Sequence, residues 1–206
     1  MAGKVFFSVS MSVDGYIAPG SLGELMGKQW MELQRWVFPL KFFRENLKLG
    51  KGGEEGRNND IARETFERTG VSVMGKRMFD AGERMWPEEA PFHTPVYVVT
   101  HQKRDPWERP GGTVFHFVND GIEAALDQAR DAAGDRDVRI AGGGATILEY
   151  LNAGLIDEFS IALSPVLFGS GVRLFDGIDA SRIALQQTHV EHAPNVTHLT
   201  YTVHQR

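Results

Sequence analysis

The chain contains no cysteine, which excludes disulfides, thiolate metal sites and cysteine nucleophiles together. It has no apolar run of the ~18 residues that a membrane-spanning helix needs, so no membrane partner is expected. The stretch from Met1 to Phe7 lacks the apolar core of a secretory signal, and with the absence of cysteine it points to the cytoplasm. Basic residues are in the minority, 22 Lys and Arg against 27 Asp and Glu, for a net charge of −5. Extended nucleic-acid binding needs a basic surface, so no nucleic-acid partner is expected. A small basic pocket for one phosphorylated ligand remains compatible with that charge. Internal repeats and long low-complexity segments are also lacking. What remains is an ordinary globular composition, 42% hydrophobic and 24% charged over 206 residues. That length suits one sizeable core, and a single domain over residues 1–206 is expected.

Local patterning alternates between strands and helices. Lys4 to Met11 reads as a strand that turns at Asp14-Gly15. Residues 30–47 carry a helical period that Pro39 interrupts, so a kink or two short helices are expected. Residues 50–59 read as a glycine-rich loop, with Asp60 as the N-cap of a helix to about Arg68. Strands are expected over 71–74, 96–100, 113–117, 138–141 and 159–163. Helices are expected over 76–84, 121–133 behind Asp120, and 145–152 before Gly154. Residues 183–204 read as two β segments joined through Ala193-Pro194-Asn195. This order implies a three-layer α/β fold, with a mainly parallel sheet, flanking helices and antiparallel C-terminal edge strands.

Three strand ends suit phosphate. Gly142, Gly143 and Gly144 stand between a strand and a helix. Residues without side chains let backbone approach a ligand, and the helix start offers N–H groups and a positive dipole end. Ala145 and Thr146 follow, the latter with a hydroxyl. The same glycines also suit a tight turn with no ligand, and they lack the spacing of a P-loop or of the usual dinucleotide fingerprint. Gly75, Lys76 and Arg77 form a second such start, where two cations oppose the helix dipole unless an anion is present. Thr100, His101, Gln102, Lys103 and Arg104 form a third, suited to a ribose and its 2′-phosphate. Ligands of open α/β sheets collect at the carboxyl ends of strands, and a dinucleotide with a 2′-phosphate would use all three.

Several motifs occur in the order seen in dihydrofolate reductase-like proteins. They are residues 12–18 (Ser-Val-Asp-Gly-Tyr-Ile-Ala), 73–79 (Val-Met-Gly-Lys-Arg-Met-Phe), 98–100 (Val-Val-Thr) and 140–144 (Ile-Ala-Gly-Gly-Gly). Residues 155–159 (Leu-Ile-Asp-Glu-Phe) and 165–175 (Pro-Val-Leu-Phe-Gly-Ser-Gly-Val-Arg-Leu-Phe) resemble the reductase domain of the bifunctional riboflavin-biosynthesis deaminase-reductase. The resemblance covers nearly the whole chain and is weakest between about residues 22 and 65. It implies NADPH as cofactor. Ile17 and Ala18 would border the nicotinamide. Gly75, Lys76 and Arg77 would face the phosphates of the adenosine half. Thr100 and residues 101–103 would lie near the adenine ribose and its 2′-phosphate. Gly143, Gly144, Ala145 and Thr146 would cradle the pyrophosphate, and Asp14 would lie at the substrate end as the catalytic candidate.

The resemblance implies an NADPH-dependent reductase of a small heterocyclic or sugar-linked substrate, with a homodimer formed through the C-terminal strands. Within it stands the 5-amino-6-(5-phosphoribosylamino)uracil reductase of riboflavin biosynthesis. A different reading is an NADP-binding dimeric module without turnover. Folate reductases place a carboxylate on the first helix, whereas residues 29–36 here offer only Glu32, which argues against dihydrofolate as substrate. Residues 20–59, rich in Trp and Phe, read as a lid, an aromatic substrate pocket or helix core. The zinc-deaminase signature is missing. The seven histidines lack metal spacing, and His189 and His192 would face opposite sides of one strand, so no metal is expected.

Overall fold

A computed structural model describes residues 3–25 and 27–206. One nine-stranded sheet runs β10-β11-β8-β1-β7-β3-β4-β6-β5. Its strands are β1 (Val5–Ser12), β3 (Thr69–Gly75), β4 (Val96–Val99), β5 (Trp107–Glu108), β6 (Val114–Val118), β7 (Asp137–Gly142), β8 (Glu158–Ser164), β10 (Ile183–Ala193) and β11 (Val196–Gln205). The six central strands, from β8 to β6, are parallel. β11 and β10 add antiparallel pairs at one edge, and β5 adds one at the other. A two-stranded ribbon pairs β2 (Tyr16–Ala18) with β9 (Val172–Arg173). This is the expected mixed, mainly parallel architecture. The short β2, β5 and β9 escape sequence patterning, because two or three residues carry no readable period.

Helices cover both faces. The helices are α1 (Lys28–Leu33), α2 (Lys41–Asn46), α3 (Arg57–Arg68), α4 (Lys76–Glu83), α5 (Gly121–Ala133) and α6 (Gly144–Asn152). α5 and α6 pack on the face where Val5, Phe7, Val71, Val73, Val138 and Ile140 form the main core. α4 packs on the other face, where Phe79 joins Met74, Val96, Val98 and Phe115. The rest of that second face is more polar, with Phe6 and Ala162 among its serines. β1 presents Ser8, Ser10 and Ser12 between its core residues, and β8 presents Ser160 and Ser164. α1, α2 and α3 cover it without filling it. No helix among the described residues is long and apolar enough to cross a membrane.

Pro39 does separate two short helices, α1 and α2, and its carbonyl accepts from Glu54 N at 2.8 Å. Asp60 is not an N-cap: α3 starts three residues earlier, behind Gly56 with φ +104°. Asp60 instead lies in the first turn and bonds Arg63 at 2.8 Å. The glycine supplies the left-handed turn that stops the loop early. Asp120 does precede α5, but its side chain makes no capping bond, and Gly121 turns the chain with φ +92°. The C-terminal hairpin turns at Pro194-Asn195 as expected, with Asn195 at φ +63°.

Candidate active site

β7, β3 and β4 are parallel neighbours, so their carboxyl ends lie side by side. Met74 pairs with Gly142 and Gly75 with Val99, which brings the three expected strand ends to one edge. A cavity of about 1770 Å³ opens there and continues over the polar face of the sheet. A single small ligand takes roughly 300–1,000 Å³, so this cavity has room for two.

The glycine run is built for close approach. Gly142 has φ +134°, a conformation that side chains resist, and the Gly142–Gly143 peptide is cis. A Cβ at Gly75 would stand 2.1 Å from Thr146 Oγ1, so the two glycine turns pack on each other. Gly143 is different: a Cβ there would meet nothing within 4 Å, and the space it faces is open. No side chain caps α6 or α4, so their first-turn N–H groups have no side-chain partner. Ala145 lines the cavity beside them.

The cations at the start of α4 divide. Lys76 Nζ bonds both oxygens of Asp80, at 2.5 and 2.6 Å, which answers its conflict with the dipole. Arg77 lines the cavity and has no ion pair among the described residues. At the end of β4, Thr100 is buried, and its hydroxyl accepts from Gln102 N at 3.0 Å. Asn119 donates to the carbonyls of Thr100 and Gln102, at 2.9 and 3.0 Å. His101 and Gln102 line the cavity, whereas Lys103 is exposed outside its lining. Asn119 went unnoticed in the sequence, because its role depends on β6 lying beside β4.

Ile17 and Ala18 also line the cavity. The β2–β9 ribbon presses on the start of α6, where a Cβ on Gly144 would meet Val172 at 2.9 Å and Ile17 at 3.1 Å. Asp14 does not line the cavity. Its carboxylate accepts from Ser12 Oγ at 2.6 Å, from Phe168 N at 3.1 Å and from Gly169 N at 2.7 Å. The Ser12 hydroxyl first, then these backbone N–H groups, hold its pKa down to about 2. Asp14 therefore ties the β1–β2 turn to the loop after β8 and carries no proton near neutral pH.

Beyond the glycines, the cavity has a serine floor and an aromatic roof. Ser10 Oγ donates to Gln34 Oε1 and accepts from Trp36 Nε1, both at 2.9 Å. Trp30, Trp36, Phe38 and Phe43 all line it, so residues 20–59 supply cavity wall, while Leu33 and Leu40 supply core. Glu32 is exposed and outside the lining. His198 is buried, its Nε2 2.8 Å from Asn58 Oδ1 and its ring edge-on to Trp36. Burial pulls its pKa down to about 4. Arg139, on the floor, was not singled out from the sequence. The alternation of β7, Val138 and Ile140 inward and Arg139 between them, carried the signal. Among the described residues no cluster of three or more His, Asp or Glu could hold a metal.

The family model of the RibD C-terminal domain matches residues 3–199. The chain belongs to this family. Among curated proteins it is 36% identical over 109 residues to YyaP of Bacillus subtilis (strain 168). That match covers 50% of this chain and 57% of the relative, so the chain spans little more than half of it. A putative riboflavin biosynthesis protein from Shewanella sp. PV-4 is similar in structure, with TM-score 0.67, 24% identity and 99% of each chain covered. Dihydrofolate reductase from Enterococcus faecalis, solved with NADP(H), aligns with TM-score 0.54 and 16% identity over 100% of this chain and 98% of its own. These likenesses establish the dihydrofolate reductase-like fold that the motif order implied.

Proposed function

We propose that the chain is an NADPH-dependent reductase of a small heterocyclic substrate. The observation that carries this reading is the meeting of three phosphate-competent strand ends at one cavity, with the Gly75 and Gly142–Gly144 turns in contact. The residues present fit the cofactor. Open space above Gly143 and uncapped first turns of α6 and α4 suit a pyrophosphate. Gly144, Ala145 and Thr146 would cradle it, with Gly75 and Lys76 beside it. Arg77, His101 and Gln102 would lie at the adenosine end, with Lys103 reaching in from outside. Ile17 and Ala18 would border the nicotinamide, which when bound supplies the hydride. The protein's part is positional, to hold donor and acceptor at about 3–3.5 Å. Asp14 acts in this reading through its tether, by fixing the ribbon that carries Ile17 and Ala18.

Family membership favours a second reading, reduction of the ribosylamino-pyrimidine phosphate of riboflavin biosynthesis. An NADPH-oxidation assay comparing that compound with dihydrofolate separates the two. Tight NADPH binding without oxidation across a broad substrate panel would instead favour a binding module. The reductase reading fails if NADPH neither quenches tryptophan fluorescence nor raises the melting temperature, since Trp30, Trp36 and Trp86 all line the cavity. The chain is further proposed to act as one domain and to pair through β10. That edge strand exposes Leu185 and Val190, at 50% and 53%.

A further inference from the structure

Arg139 lies on the floor of the cavity, three residues before Gly142 on β7. At ~3.3 Å per residue that is about 10 Å from the glycine turn, away from the proposed cofactor. Its register partners are Phe6 of β1 and Ser72 of β3. Phe66 of α3 covers the guanidinium, its ring centre 5.2 Å from Cζ. Beside it the same face of the sheet presents Ser8 and, one strand further, Ser160, which bonds Thr200 at 3.1 Å.

The charges nearest to Arg139 are paired. Arg68 holds Asp137 at 2.5 Å and Glu158 at 2.7 Å, and Lys4 holds Glu158. Further along α3, Arg57 holds Glu64 and Glu191. Arg139 makes no ion pair among the described residues, and its Nε is buried with no hydrogen-bond partner. Burial pulls its pKa down, to about 10, so it stays charged at neutral pH. A guanidinium without a counter-charge in such a place is unfavourable unless a ligand supplies one.

We propose that Arg139 anchors a carboxylate of the substrate, at the end of the cavity away from the nicotinamide. The pairing around Arg139 favours a singly charged anion. Lys4 and Arg68 are paired with Asp137 and Glu158, and Arg57 with Glu64 and Glu191, so Arg139 is the cation here without a carboxylate of its own among the described residues. A carboxylate neutralises it, whereas a phosphate dianion would overshoot beside Glu158. The planar guanidinium under a phenyl ring also suits a planar, forked partner, and Ser8 offers a further donor. The inference rests on the reductase reading for the ligand being the substrate, and it sets an acidic heterocycle above a phosphate ester.

The test uses the full chain in buffer free of phosphate and carboxylate, with and without NADP⁺. Benzoate, benzamide and phenyl phosphate serve as probes by calorimetry, and NADP⁺ affinity is read by tryptophan quenching. Benzoate is expected to bind at least tenfold more tightly than either other probe. Arg139→Met should erase that preference, leave NADP⁺ affinity unchanged and raise the melting temperature without ligand. Arg139→Lys should retain part of the preference. Equal binding of benzoate and benzamide, tighter binding of phenyl phosphate, no detectable benzoate binding, or an unchanged preference in Arg139→Met overturns the inference. If benzoate binds through Arg139 but NADP⁺ does not bind, the reductase reading fails and the anion site stands. The reverse result sinks the anion site alone.

Discussion

At the scale of single residues, the two glycines Gly75 and Gly143 do different work. Gly75 is needed by the protein, because a Cβ would press within 2.1 Å of Thr146 Oγ1. Gly75→Ala should cost about 1–3 kcal/mol in urea unfolding, as overpacking does. Gly143 faces open space, where the proposed cofactor would need close approach. Gly143→Ala should change stability by no more than about 0.5 kcal/mol, yet weaken NADPH binding tenfold or more in a quenching titration. Equal loss in both variants would mean that the run is only a turn. His198 gives a pH signature. Its folded pKa lies below the unfolded 6.5, so the unfolded chain takes up the proton first. Stability from this group is complete above pH 6.5 and declines as pH falls toward about 4. His198→Gln, which can still bond Asn58, should flatten that limb in melting curves across the window.

At the scale of elements, the proposed cofactor preference is tested at the start of α4 and in the loop after β4. Among the described residues Arg77 has no ion pair at the cavity, whereas Lys76 is occupied by Asp80. Arg77→Ala should lower NADPH affinity by roughly 10- to 100-fold, the range of a charge-assisted bond, with little effect on NADH. Lys103→Ala should do less, since Lys103 lies outside the lining. Equal loss for both cofactors in Arg77→Ala would contradict a 2′-phosphate role. The β10 strand offers a second element-level argument. Leu185 and Val190 are an odd number apart, yet they pair with Val203 and Leu199 on one face, because a bulge falls between Gln187 and His189. The bulge thereby assembles an exposed apolar stripe on the edge strand.

At the scale of the whole molecule, that stripe and the cavity make separate predictions. The protein should elute as a dimer in light scattering, and Leu185→Lys with Val190→Lys should make it monomeric without changing NADPH affinity. NADPH at a hundredfold excess over its Kd should add about 2.7 kcal/mol of stability. For a chain of this size that is roughly 5–11 °C in melting temperature at ~2–4 °C per kcal/mol. The fold was legible because long amphipathic strands and helices repeat a period. Element ends were less so: α3 began at Arg57 rather than behind Asp60, since the chain reversal at Gly56 outweighed a capping side chain. The expected substrate-end Asp14 proved to be a backbone tether, because the loop after β8 comes back onto it from far along the chain.

Composition, periodicity and motif order by themselves determined the α/β class, the absence of thiol chemistry and which strand ends have a composition suited to phosphate. Each of these depends on residues near one another in sequence. Tertiary structure decided which candidates face a common cavity, because strand order β7-β3-β4 is set by crossovers between distant segments. It also decided which charges are paired. Lys76 found Asp80 one turn away, while among the described residues Arg139 has no ion-pair partner, because Arg68 and Lys4 already hold the carboxylates nearby. Ion pairing falls off within a few ångströms, and only the folded chain fixes separations on that scale.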